Sequence, residues 1–301
     1  MMDGLPSPRG AVTARSSTPS PPRARTLGAA ALALLAAGGF AAPASAQLRR
    51  DPAVQPVGGV AAGDYLVGMG FGWGSGWSSR LSGLSGDLWS IGRLTLAWAP
   101  ADRVVVEIRG TIQDVLLIDA RDRSFVDLDP GVEDGKTHDW GDYRIAFAMA
   151  PIGRREGLSL GGSFEVTLPT TDERAGIGSN TTDVRLGLLG SYGSGPFRLT
   201  VDLGLAILES AHRRFDQNDA LAYRSEVSAL IGTGRSRVGL GLDGHASTRT
   251  TASVGTEDVG EVRGWGELWF GSWVLDGEAA VGYAERSPDF SLRAGVSFMR
   301  R

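Results

Sequence analysis

The sequence predicts an all-β fold: a closed antiparallel transmembrane up-and-down β-barrel of about twelve strands. Three observations lead there. Apolar residues alternate with polar or glycine residues, with period two, through segments of mostly about ten to thirteen residues. That is longer than the usual soluble strand of about 5–6 residues and matches the roughly 9–11 that a tilted membrane strand needs. Short and long connections take turns along the chain, as in barrels with tight turns at one end and longer loops at the other. The charges of the alternating segments share one row, opposite the apolar one. Reversing that arrangement in a membrane would cost about 2–4 kcal/mol per Arg or Lys at the midplane.

The chain opens on an address. Residues 1–26 are rich in Pro, Ser and Arg, and 27–42 are apolar and uncharged. Ala44-Ser45-Ala46 then supplies an A-x-A cleavage pattern. A basic region, an apolar region of about 16 residues and a small-residue exit make a secretory signal peptide; the apolar run is short for a span of about 20. Residues 1–46 are therefore expected to be removed, 47–63 to form a short periplasmic lead, and 64–301 to form the barrel.

Strands are expected at 64–73, 88–98, 103–114, 140–150, 157–168, 182–193, 196–208, 220–232, 236–246, 260–270, 272–284 and 289–299. The first sets Tyr65, Val67, Met69, Phe71 and Trp73 against a row of glycines. The fifth sets Leu158, Leu160, Phe164, Val166 and Leu168 against Ser159, Gly161, Ser163, Glu165 and Thr167. The seventh and twelfth alternate in the same way. In 260–270, Glu261, Arg263 and Glu267 share a parity with Trp265 and Trp269, so two tryptophans would enter the lumen. The links after even strands are short: 99–102, 151–156, Ser194-Gly195, Thr233-Gly234-Arg235 and Gly271. Those after odd strands are mostly longer: 74–87, 115–139, 169–181, 209–219, 247–259 and 285–288. Trp73, Trp89, Trp98, Tyr143, Tyr192, Trp273 and Tyr283 fall near strand ends, as an aromatic girdle would.

The inward row is expected to line a lumen with Arg93, Glu107, Arg109, Asp142, Arg144, Glu165, Asp183, Arg185, Arg198, Asp202, Arg224, Glu226, Asp243, Asp276, Glu278 and Arg293, joined by Arg237 and His245. Such interleaved charge can satisfy itself as an Arg–carboxylate network, or select solutes by its electrostatics.

Composition excludes several chemistries. With no Cys there is no disulfide framework, thiolate metal site or cysteine nucleophile. Three His leave little for a multi-His centre, and a net charge of −4 does not suit a nucleic-acid binder. Glycine, 44 in 301 residues, is about twice its average usage of about 7 %. His138 and His212 fall in expected loops, and His245-Ala-Ser247 offers only a weak Ser–His arrangement. The acidic stretch 119–134 contains Asp127-x-Asp129-x-Gly131, which lacks the rest of a calcium-loop spacing. No catalytic residue, metal or cofactor is expected.

From about residue 139 onward the chain carries Gly141-Asp142-Tyr143-Arg144-Ile145, then Leu160-Gly161-Gly162-Ser163-Phe164-Glu165-Val166-Thr167-Leu168-Pro169-Thr170 followed by Asp172, and Asp183-Val184-Arg185-Leu186-Gly187. On these motifs it resembles the bacterial outer-membrane family named for the phenol-degradation meta-pathway, whose members are described as transporters. Thr171 stands where the family shows glycine, and Phe298 is followed by Met299-Arg300-Arg301 where barrels commonly end on an aromatic. The resemblance implies passive passage of small, aromatic or hydrophobic, molecules and carries over no catalytic residue. The expectation is thus a porin-like channel of the bacterial outer membrane. Its expected partners are lipid and lipopolysaccharide, the barrel-assembly machinery and small-molecule solutes. The alternatives are a structural or adhesive barrel with a plugged lumen, and a lipid-modifying barrel enzyme.

Overall fold

The computed structural model describes residues 61–153, 156–211, 217–232 and 235–300. The expected signal peptide and most of the expected lead, like His212, lie outside the described residues. Among the described residues thirteen strands form one antiparallel sheet: β1 (Tyr65–Ser79), β2 (Leu84–Ala101), β3 (Val104–Arg121), β4 (Lys136–Asp139), β5 (Tyr143–Gly153), β6 (Gly157–Leu168), β7 (Asp183–Ser194), β8 (Phe197–Glu209), β9 (Gln217–Ile231), β10 (Ser236–Ser247), β11 (Val259–Phe270), β12 (Trp273–Gly282) and β13 (Phe290–Arg300). β4 apart, each pairs with the strands before and after it, β1 pairs with β13, and the sheet closes. Closure leaves no strand edge to be exposed to hydrocarbon.

β4 and β5 are two parts of one stave. Both pair with β3 in a single register, Asp114 opposite Asp139 and Arg109 opposite Arg144, with residues 140–142 between them and Gly141 N–H donating to the Thr111 carbonyl. The barrel therefore has twelve staves. The short connections gather at one end, as at Gly195-Pro196, where Gly195 has φ +56 and a side chain would be strained. The long ones, 122–135, 169–182 and 248–258 among them, gather at the other.

Two expected loops prove to be strand. The link 74–87 is reduced to 80–83, and 115–139 is partly β3 and β4, with His138 paired to Val115. The cause is a pair of bulges that invert the alternation. Gly92, at φ +67, is an extra residue of β2 relative to β1, and a second shift lies between Gly74 and Trp77. Beyond them Trp77, Leu84 and Leu116 take the inward row and are buried, so the period-two reading loses phase just where the strands continue.

The outward row is apolar and exposed, from Val67, Met69 and Phe71 on β1 round to Leu292 and Val296 on β13, with Leu188 78 % exposed. In water such a surface would drive aggregation; in a bilayer it is the face that lipid solvates. Trp98, Tyr192 and Trp273 edge it at the turn end, and Trp140 and Tyr283 at the loop end, where Tyr283 shares a 2.7 Å hydroxyl contact with Tyr223. Several inward glycines let a neighbouring side chain lie flat on the wall. A Cβ at Gly239 would come within 2.4 Å of the Trp265 ring, and one at Gly72 within 3.2 Å of the Arg93 side chain.

Candidate functional site: the charged lumen

Three layers follow one another along the inside. At the turn end Leu66, Ala97, Ala99, Val105, Ala150, Leu189, Val274 and Met299 form a buried apolar collar, with Trp269 against it. These residues have the inward parity near strand ends, so the collar is readable in the sequence once the inward row is not assumed to be polar throughout. Trp265 and Trp269 both point inward; the Arg237 guanidinium stacks 5.3 Å from the Trp269 ring.

The middle layer is charged. Glu165 of β6 accepts from Arg109 of β3 at 2.8 Å and from Arg224 of β9 at 3.2 Å. Arg224 Nε donates to Asp243 of β10 at 3.0 Å. Arg185 of β7 lies 3.8 Å from both Asp202 of β8 and Asp243, and Ser163 Oγ donates to Asp202. Glu107 is 3.8 Å from Arg109, and Arg144 is 3.7 Å from Glu165. Four arginines thus meet four carboxylates. A second group joins Arg263 to Glu226 and Glu278 at 3.8 and 3.6 Å, and Arg293 to Glu278 and Glu261 at 2.5 and 3.3 Å. Pairs between strands that are not neighbours, such as β3–β6, β6–β9 and β7–β10, can form only through the lumen. That fixes the inward direction of these side chains independently of burial.

Of the residues named from the sequence, Glu107, Arg109, Arg144, Glu165, Arg185, Asp202, Arg224 and Asp243 are brought into the first group, and Glu226, Glu278 and Arg293 into the second. Arg198 and Asp276 belong to the turn-side part of the inward row, and Arg93 lies over Gly72. Asp142 and Asp183 stand at the loop-side rim, accepting from Thr171 Oγ1 at 3.0 Å and from Glu209 N–H at 3.1 Å. Glu261 and Arg263 take the inward parity that 260–270 shares with Trp265 and Trp269, and they join the second group although the sequence alone does not single them out as lining residues. Arg263 is 2 % exposed and belongs to the core of the second group.

The layer is densely filled. Glu107 and Asp202 are each 1 % exposed, and the cavity among Glu107, Glu165, Arg185, Asp202 and Arg224 is about 20 Å³. That is room for about one water, against roughly 300–1,000 Å³ for a pocket that takes a small molecule.

Loops cover the third layer. Leu128 and Val132 of 122–135 and Ile177 of 169–182 pack on Trp77, Leu84 and Leu116 of the inner wall; Thr137 Oγ1 donates to the Ala175 carbonyl. Asp129, in the stretch with part of a calcium-loop spacing, pairs with Arg174 at 2.8 Å. Loop 248–258 folds inward as well. Asn218 Nδ2 donates to the Thr256 carbonyl and His245 Nε2 lies 3.0 Å from that of Glu257, while Arg80 reaches Glu257 from the β1–β2 tip at 3.7 Å. His245 and Ser247 each bond elsewhere, Ser247 Oγ to Asn218, so these bonds do not make a base–nucleophile pair.

No family model matches the chain, and no curated protein matches it. Solved structures do. An outer-membrane channel from Pseudomonas putida F1 aligns over 81 % of this chain and 98 % of its own at 12 % identity, with a TM-score of 0.53. A monoaromatic hydrocarbon channel aligns over 80 % and 89 % at 10 % identity and a TM-score of 0.44. Outer membrane phospholipase A from Escherichia coli aligns over 87 % and 99 % at 14 % identity and a TM-score of 0.38. At these identities the likeness is one of fold. The first of them, together with the closed sheet and its apolar outer belt, shows the chain to have the fold of an outer-membrane β-barrel.

Proposed function

We propose that the protein is a diffusion channel of the bacterial outer membrane for small solutes, with the loop end outside and the turn end in the periplasm. The observation that carries this reading is the charged, ion-paired middle of the lumen. A barrel selected for stability alone is better served by apolar filling, since replacing buried ion pairs by packed apolar residues is often neutral or stabilising by about 1–4 kcal/mol. Charges retained inside a pore give a lining that can exchange partners with what passes. The family resemblance of the sequence extends the cargo to small aromatic or hydrophobic molecules.

Protein refolded into planar bilayers is expected to give stepwise currents, and vesicles carrying it to pass small aromatic alcohols faster than empty ones. A second reading is favoured by the filled lumen and the inward loops: a barrel that stays closed and works through its outer surface. Stable, heat-modifiable insertion with neither current nor flux would select that reading instead.

A further inference from the structure

The two charged groups of the lumen span different distances. The pairs of Arg263 and Arg293 join β9, β11, β12 and β13, which are neighbours or next but one, so this group follows the wall. The other group crosses. Arg109 of β3 donates to Glu165 of β6, Glu165 is also held by Arg224 of β9, and Arg224 holds Asp243 of β10. In the closed ring of twelve staves β3 and β10 are six apart by either route, which is the largest separation that the barrel allows. This one chain of charge-assisted bonds therefore ties opposite walls together.

Arg224 is the link on which the crossing depends. Its guanidinium, 6 % exposed, presents Nη1 and Nη2 to Glu165 and Nε to Asp243, the forked geometry that only arginine offers. The collar at the turn end is apolar. It is built of alanine and of apolar side chains such as Leu66 and Met299, and a flexible side chain like that of Met299 is displaced by a rotamer change.

We propose that Arg224 is a latch: its bridge between Glu165 and Asp243 closes the lumen, and the barrel conducts when that bridge is released. This rests on the reading of the protein as a channel. Removing Arg224 leaves Glu165 with Arg109 and Arg144, whereas removing Glu165 would take a shared carboxylate from Arg109, Arg144 and Arg224 at once, so Arg224 is the position to vary.

The chain has no cysteine, so Thr200→Cys supplies a unique reporter. Thr200 is 2 % exposed on β8, one inward step to the turn side of Asp202. The full-length protein is folded into vesicles, with folding of each variant checked by its heat-modifiable migration, and a membrane-impermeant maleimide is added from the loop side. Arg224→Gln is expected to raise both the labelling rate of the thiol at position 200 and the open probability in planar bilayers about tenfold, as a shift of roughly 1.4 kcal/mol does to a two-state population. Arg224→Lys keeps the charge without the fork and should fall between. Equal labelling of the folded Thr200→Cys protein with and without Arg224→Gln would overturn the latch, while the channel reading would stand on the parent's currents. Absence of current from the parent and from every folded variant would overturn the channel reading, and the latch with it.

Discussion

Arg263 shows how burial sets the weight of a single charge. Its side chain is 2 % exposed and faces Glu226 and Glu278, themselves 3 % and 14 % exposed. Arg263→Ala would take one buried cation from both carboxylates, leaving Glu278 with Arg293. Breaking a buried pair in this way costs about 3–5 kcal/mol. Arg174 makes a shorter contact with Asp129, 2.8 Å, but the partners are 58 % and 44 % exposed, and pairs in water contribute about 0–1 kcal/mol. Urea unfolding in lipid vesicles should therefore show a large loss for Arg263→Ala and little for Arg174→Ala; similar losses would mean that lumen charges are solvated rather than buried. At this scale the sequence is informative about faces and silent about partners. The parity of Glu165 or Arg224 follows from its neighbours along the strand. That Glu165 meets Arg224 depends on closure of the ring, which brings residues 59 positions apart together.

Among the elements, strand cores are legible in the sequence and strand ends are not always. The segment 157–168 coincides with β6 because its alternation is unbroken and Gly157, at φ +91, starts it. β1, β2 and β3 outrun their expected ends because the bulge at Gly92 shifts the phase. That bulge continues into the next staves: Ile112 stands beside Gly92 on β3, and the break at 140–142 lies beside Ile112. Glycine is required at its origin for two reasons. The left-handed conformation costs a residue with a Cβ about 1–2 kcal/mol, and a Cβ would lie 2.8 Å from Ile112 Cδ1. Gly92→Ala should lower stability by about 2 kcal/mol or more when the two effects combine, with Gly162→Ala, whose added Cβ would meet only a carbonyl at 3.5 Å, as the mild comparison. Equal midpoints in urea for the two variants would remove the bulge from its proposed role.

For the whole molecule, closure is the property from which the others descend. The alternation of an open sheet would be the same, and so would its local turns; only the β1–β13 seam turns the charged row into a lumen and removes the last edges from hydrocarbon. The seam runs without a bulge from Tyr65 opposite Arg300 to Ser75 opposite Phe290. Nothing local in the sequence marks it, and a ring follows there only from the even number of strands and the cost of an edge. Its register is directly testable because the chain lacks cysteine. Met69 and Val296 are partners on the outward row, and directly opposed residues have Cα separations of about 4.5–5.5 Å, within the range a disulfide bridges. In the Met69→Cys/Val296→Cys variant, oxidation of the folded protein should join the two ends of the barrel. Boiled without reductant, it should then migrate faster than the same protein reduced, since the cross-link constrains the unfolded chain. Pairing Met69→Cys instead with Leu240→Cys, on β10 and three staves from β13, should abolish the cross-link. A folded Met69→Cys/Val296→Cys protein that does not oxidise, or a Met69→Cys/Leu240→Cys protein that oxidises equally well, would show that the seam is not where this register puts it. The chord from β3 to β10 would then lose its meaning, because opposite walls exist only in a ring closed at this seam.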